Sequence, residues 1–341
     1  MKEFFFQYGL FLAKTLTFVA AAVFVIGAAA AASKKTREPG GLVVNSLNDR
    51  YRSMIDTLRK SVLPKKALKA FSKSRKQEDK ARGKSEEPRR RVYVIDFKGD
   101  IKATAVANLR HEISAVLALA TPEDEVLLRL ENYGGMVHEH GLAAAQLVRV
   151  REQGIPLTVS VDRAAASGGY LMACVADRIV AAPFAIIGSI GVLAQIPNFY
   201  RLLDEHGVKV EQLKAGRYKR TVTMFGENSD ADRHKLREEL EDVHHLFREL
   251  IAQYRAEVDL DAVATGEHWY GSRAVQLGLI DEVATSDDLL VARLQDADLY
   301  RVQWKGRKSL SEKVAAAVEG SAAAGLRSAA RAYQESRFGG G

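Results

Sequence analysis

The 341-residue sequence predicts an α/β protein with a largely parallel sheet covered by helices. Three observations carry this reading. Short β-rich runs alternate with helix-spaced apolar runs from Arg91 to about Ala292. Glycine pairs follow two of the predicted strands, at Gly134-Gly135 and Gly168-Gly169. The composition, 47% hydrophobic and 27% charged, is that of a globular chain and excludes wholesale disorder, collagen-like sequence and a polytopic membrane protein.

Taken in order, Phe4 to Ala32 carries one charge, Lys14, and the eighteen residues Thr15–Ala32 carry none. At about 1.5 Å per residue they span roughly 27 Å, near the hydrocarbon core of about 30 Å. Residues 1–32 are therefore expected to form one N-terminal transmembrane helix, the run being long for the apolar part of a signal peptide. A signal peptide cleaved in the small-residue run Ala28–Ser33 and a buried core helix are the alternatives. Residues 33–91 form a basic juxtamembrane segment with 19 Lys/Arg against 7 Asp/Glu. Within it Leu42–Leu63 reads as an amphipathic helix on the membrane surface, and Lys65–Arg91 as a solvated linker drawn to anionic headgroups. This segment carries a net +12 against +7 for the whole chain, and residues 92–341 are left at about −6. A nucleic-acid groove on the core is excluded on that ground, because no positive surface would gather phosphates.

Residues 92–292 form the expected core domain. Val92–Phe97, Val126–Leu130, Leu157–Val161 and Arg178–Ala182 read as strands, each a compact apolar, β-rich run. Val106, Leu109, Ile113, Val116 and Leu117 follow helical spacing; Gly141–Arg151 and Ser167–Asp177 are also expected to be helices. Val208–Leu213 is expected to be a strand. A longer helix follows, with Leu236, Leu240, Val243, Phe247, Leu250, Ile251 and Tyr254 on one face, and Ser229 with Asp232 marks its start. Residues 293–341 are an Ala-rich tail, helical over Ser309–Phe338, whose small residues suit packing against another subunit. The one cysteine, Cys174, excludes an intrachain disulfide and a cysteine-based zinc cage.

The chemistry-bearing candidates lie at the glycine turns. In Asp162-Arg-Ala-Ala-Ala-Ser-Gly-Gly-Tyr170, Ser167 stands at a strand-to-helix junction, where it is either a nucleophile or a helix cap. The turn after the preceding strand, Leu130-Glu-Asn-Tyr-Gly-Gly-Met136, would bring backbone N–H groups beside it. An alcohol with two N–H donors at its side meets the requirement for holding an oxyanion. No histidine pairs evidently with Ser167, and His138 with His140 is a weak metal pair without a carboxylate cluster. A lysine held neutral by burial or by neighbouring cations is the alternative base. Lys219, in Lys214-Ala-Gly-Arg-Tyr-Lys-Arg220, is the candidate, against the reading of that stretch as a solvated basic loop.

Taken together, Leu128-Arg-Leu-Glu before Gly134-Gly135, Ala165-Ala-Ser-Gly-Gly-Tyr170, Gly188-Ser-Ile-Gly-Val192, Lys214–Lys219 and Gly278-Leu-Ile-Asp281 resemble the signal peptide peptidase A family of serine peptidases, in its SohB-like membrane-anchored branch. The resemblance covers roughly residues 40–300. It implies a ClpP/crotonase-like fold, Ser167 as nucleophile, Lys219 as general base, Ser189 as the hydroxyl orienting the lysine, and the Gly135 and Gly168 N–H groups as the oxyanion hole. It also implies peptide substrates, no metal or nucleotide cofactor, and a homo-oligomer in which the lysine can come from a neighbouring subunit. The expected location is the bacterial inner membrane, single-pass. Lys34, Lys35 and Arg37 favour a cytoplasmic core and the resemblance a periplasmic one. One departure is that the family's Ser-Pro-Gly-Gly loop reads Asn132-Tyr133-Gly134-Gly135 here, and loss of the proline is expected to loosen the oxyanion turn.

The expected activity is thus a Ser-Lys endopeptidase acting on hydrophobic peptides or signal-peptide remnants. The rivals are a peptide-binding or scaffolding member without turnover, and an acyl-CoA enzyme of the crotonase type, for which Glu139 is the nearby acid.

Overall fold

The computed structural model describes residues 2–33, 40–82 and 89–306, and excludes the side chains of residues 2, 5, 20–33 and 74–82. The N-terminal unit holds helix α1, Lys2–Ser33. Among the described residues no helix is long and apolar enough to cross a membrane. Most of the uncharged run that prompts the transmembrane expectation falls among the side chains just excluded. The described structure therefore carries that expectation no further than the helix itself. The helical tail expected over Ser309–Phe338 lies outside the described residues.

The larger compact unit runs from Leu42 to Trp304, beyond 92–292 on both sides. Its strands are β1 (Gly41–Ser46), β2 (Arg90–Lys98), β3 (Glu125–Glu131), β4 (Leu157–Val161), β5 (Ala164–Ala166), β6 (Arg178–Ala181), β7 (Ile186–Gly188), β8 (His268–Tyr270), β9 (Glu282–Val283) and β10 (Ala297–Lys305). Seven of these form one sheet in the order β1-β10-β2-β3-β4-β6-β9, parallel from β10 through β9. A smaller sheet, β5-β7-β8, stands beside it. The helices are α2 (Leu47–Val62), α3 (Lys65–Arg82), α4 (Val106–Leu117), α5 (Val137–Glu152), α6 (Gly168–Ala173), α7 (Tyr200–Glu205), α8 (Asp230–Tyr254), α9 (Leu260–Val263), α10 (Gly271–Ala274) and α11 (Ser286–Arg293).

Side chains alternate across a strand, so a sheet covered on both faces needs apolar residues at every position. β2 and β3 meet that need over Val92–Ile95 and Val126–Leu128, after which Asp96 and Arg129 interrupt the run as an ion pair. Tyr93, Ile95, Phe97, Val126, Leu128 and Leu130 join Leu109, Ile113 and Leu147 in the main core. Val92, Val94 and Leu127 pack on the opposite side with Leu47, Leu289 and Leu290.

Three expectations are corrected here. The amphipathic helix over Leu42–Leu63 is split into β1 and α2, because Leu42-Val-Val44 pairs as a strand and Ser46 then caps α2 by accepting from the Asp49 N–H. The solvated linker after Lys65 begins as α3, with the Arg59 guanidinium 3.6 Å over the Phe71 ring. Val208–Leu213 forms no strand; its apolar residues face solvent with no neighbouring strand to pair with. The long helix α8 agrees with its start signal, since Ser229 and Asp232 close a reciprocal capping box.

Buried Asn48 ties α2 to the sheet: its Nδ2 donates to the Ala297 carbonyl at 3.0 Å and its Oδ1 accepts from the Leu299 N–H at 2.7 Å. Asn48→Ala removes both bonds and leaves buried groups on β10 unpaired. A loss of about 2–3 kcal/mol in urea unfolding is expected. An unchanged midpoint would show that this segment lies outside the cooperative core.

Candidate active site

Ser167 occupies the step between β5 and α6. The β5–β7 register, Ala164 with Ile186 through Ala166 with Gly188, places Ser167 and Ser189 next in line. Both adopt φ +52°, a left-handed conformation that non-glycine residues seldom hold. Two backbone bonds hold them there: the Ser167 N–H donates to the Gly188 carbonyl at 2.8 Å and the Ser189 N–H to the Glu267 carbonyl at 2.6 Å. The Ser167 side chain makes no capping bond to α6, so the helix-cap role weighed above is not used.

The second glycine turn abuts the first. Asn132 donates its N–H to the Ala164 carbonyl at 2.8 Å and accepts from the Ala166 N–H at 3.0 Å. That bridge runs the loop after β3 alongside β5. A Cβ on Gly134 would lie 2.7 Å from Ser167 Cβ and 3.2 Å from the Gly168 nitrogen. A Cβ on Gly168 would lie 2.5 Å from His140 Cγ, one on Gly169 would strike the Asn132 carbonyl oxygen, and one on Gly135 the Ile101 backbone. Gly134 and Gly169 are thus required for contact between the two turns, Gly168 for the approach of His140 and Gly135 for that of the Ile101 backbone. Among the described residues no hydrogen bond occupies the N–H of Gly135 or Gly168.

At the Asn132-Tyr133 turn, where loss of a proline prompts the expectation of a looser loop, buried Asn132 accepts from the Gly134 N–H at 2.9 Å through Oδ1, an Asx turn. The same oxygen faces His140 Nε2 at 3.2 Å, and His140 Nδ1 faces the Met136 carbonyl at 2.9 Å. From sequence Asn132 and His140 had no supporting role; a polar pair two residues before and five residues after the Gly134-Gly135 pair was the one signal. His140 is buried while His138 is exposed, so these two do not converge on a metal.

Ser167 lies where two cavities meet. One, of about 580 Å³, is an apolar cleft walled by small residues of α5 (Gly141, Ala144, Ala145) and larger ones of α8 (Val243, Phe247, Leu250). The other, of about 990 Å³, holds Ser167 and Ser189 with Gly134, Gly135 and Tyr133, and is closed by His244 and Glu241 of α8. The apolar face expected on α8 is thus divided: Phe247 and Ile251 are buried, whereas Leu240, Val243 and Leu250 line cavities. Glu139 lines neither cavity and faces His138 at 3.7 Å. Nor does Lys219 line either cavity of its own chain. It sits in an exposed turn, with its N–H on the Gly216 carbonyl at 3.2 Å. Ser167, Ser189, Gly135 and Gly168 are brought together, and Lys219 is not brought to them within one chain. Cys174 is buried, which pushes its thiol up to about 12 and leaves it inert.

Residues 3–147 match the model described as "Peptidase family S49 N-terminal" and residues 149–299 the model "Peptidase family S49". The chain is 44% identical over 328 residues to the Haemophilus influenzae protein described as "Probable protease SohB", covering 92% of this chain and 93% of that one. It is 51% identical over 230 residues to the Buchnera aphidicola protein of the same description, covering 67% and 68%. Among solved structures, a membrane-bound stomatin-specific protease in complex with a substrate peptide matches with TM-score 0.40 and 14% identity, over 68% of this chain and 99% of that one. That likeness is too distant to inform the chemistry.

Asn132→Ala removes the acceptor that holds Gly134 and His140. A loss of about 2–4 kcal/mol is expected by chemical denaturation. A variant as stable as the parent would mean that the turn is held by its glycines and backbone bridge alone.

Proposed function

The chain belongs to peptidase family S49, and from that premise we propose that it is a membrane-anchored serine endopeptidase with Ser167 as nucleophile and Lys219 as general base. The observation that carries the serine role is the forced φ of Ser167 at the junction of two cavities, beside the uncommitted N–H groups of Gly135 and Gly168. The Lys219 amine in its free-base form takes the Ser167 proton, and the alkoxide attacks a peptide carbonyl. The Gly135 and Gly168 N–H groups receive the oxyanion, the lysine returns its proton to the leaving amine, and water hydrolyses the acyl-enzyme. Ser189, next to Ser167 in the strand register, orients the lysine.

Lys219 acts on the Ser167 of a neighbouring copy in this reading. Support comes from the surface that carries it. The segment 191–228 exposes Leu193 (82%) and Leu213 (94%), apolar area that a homo-oligomer would cover. The apolar cleft beside Ser167 suits hydrophobic peptides, including signal-peptide remnants. Helix α1 and the basic residues after it are proposed to hold the enzyme to the bacterial inner membrane as a single-pass protein.

Ser167→Ala and Lys219→Ala are each expected to lower kcat/KM for an apolar peptide by about a thousandfold or more, with unfolding unchanged. Mixing the two inactive variants is expected to restore measurable hydrolysis, since mixed oligomers would pair an intact serine with an intact lysine. Wild-type rates in Lys219→Ala would sink the dyad. A fluorophosphonate probe is expected to label Ser167, which a catalytically silent peptide binder would not allow.

A further inference from the structure

Among the described residues, one charged side chain lines the apolar cleft beside Ser167, that of Glu152. It lies on the face of α5 that forms the wall, since Gly141, Ala145, Val148 and Glu152 follow one another at helical spacing. The fold sets its distance from the reacting alcohol. Gly168 packs on His140, where an added Cβ would lie 2.5 Å from the imidazole Cγ, so Ser167 stands level with the first turn of α5. From His140 to Glu152 the helix advances about 18 Å. The opposite wall is as long: α8 advances about 16 Å from Val243 to Tyr254, both of which line the cleft. The two walls end together, for the Arg151 guanidinium lies 5.0 Å from the centre of the Tyr254 ring.

No local interaction accounts for a carboxylate at this end. Glu152 is the last residue of α5, where the helix dipole favours cations, and it has no hydrogen bond or ion pair among the described residues. The neighbouring cations are taken. Arg151 pairs with Asp177 at 2.9 Å, Arg149 bonds Ser114 and Gln146, and Arg255 pairs with Asp281 at 2.8 Å. The far end of an apolar cleft therefore carries one exposed, uncompensated negative charge.

We propose that Glu152 is a specificity-determining residue that selects apolar peptides carrying a lysine or arginine about five residues from the bond cut. The proposal rests on Ser167 being the site of peptide cleavage. An extended chain advances about 3.3 Å per residue, so about five residues join Ser167 to Glu152. A single side chain seated at Ser167 is shorter than that span. Charged residues within the stretch would lose water against apolar walls without gaining a partner. A cation at its end meets the carboxylate where both stay partly in water, so the pair discriminates at little desolvation cost. The peptide selected is a hydrophobic segment flanked by a basic residue, and not one apolar throughout.

The test uses the full-length protein and fluorogenic apolar dodecapeptides whose cut is mapped by mass spectrometry. One peptide is neutral, and two others carry a lysine five residues before or five residues after that bond. One of the lysine peptides is expected to exceed the neutral peptide in kcat/KM by about three- to fivefold, and by less in about 0.5 M salt. In Glu152→Gln that ratio is expected to fall to about one. Glu152→Lys is expected to invert it and to favour the matching glutamate peptide. Both variants are expected to keep the parental unfolding midpoint, because the side chain is exposed and unpaired. Equal kcat/KM for all three peptides in the parent, or a lysine preference that survives Glu152→Gln, overturns the inference. If the parent cleaves nothing while Ser167→Ala binds one lysine peptide more tightly than the neutral one, and Glu152→Gln abolishes the difference, the peptidase reading falls and Glu152 stands. Ser167-dependent cleavage without a lysine preference does the reverse. Absence of both cleavage and binding overturns both.

Discussion

Backbone contact between two turns is the constraint on which the site depends. Asn132 exchanges hydrogen bonds with Ala164 and Ala166 on either side of β5, which brings the loop after β3 against the step that holds Ser167. The approach is closer than any side chain permits: a Cβ on Gly134 or Gly169 would stop it, while Gly168 admits His140 and Gly135 the Ile101 backbone. Each turn alone is an ordinary connection. In register they leave the N–H groups of Gly135 and Gly168 without acceptors among the described residues, beside the Ser167 alcohol.

The same contact is supported from beneath by polar groups taken out of water. Asn132 and His140 are both buried and bond one another, the Gly134 N–H and the Met136 carbonyl. The layer is costly to break because each group removed strands its partner. Above it, α8 gives part of its apolar face to the core and leaves the rest lining open space. One helix thereby contributes both to stability and to the shape of what the protein admits.

How far the chain could be read follows from where each element finds its partners. Leu157–Val161 was recoverable residue for residue, since Leu157, Val159 and Val161 alternate with small Thr158 and Ser160 in a short β-prone run. The start of α8 was recoverable because its capping box is local, closed between Ser229 and Asp232. Leu42–Leu63 was read as one helix, for the evidence that its first residues form a strand lies in β10, some 250 residues away. Val208–Leu213 failed in the opposite sense, carrying strand-like residues with no strand to meet. The likeness of the glycine and serine motifs to a peptidase family was legible in their order and spacing, while Asn132 and His140 were not, since their importance comes from what they touch.

The sequence by itself determined the parallel sheet and the two glycine turns, because strand periodicity and glycine's missing side chain are local properties. Tertiary structure alone decided that the two turns meet, that Asn132 accepts from the Gly134 N–H, that His244 lines the cavity holding Ser167 and Ser189, and that Lys219 stands apart from its own Ser167. Those outcomes depend on distances between segments far apart in the chain, and such distances are set by how the sheets and helices pack.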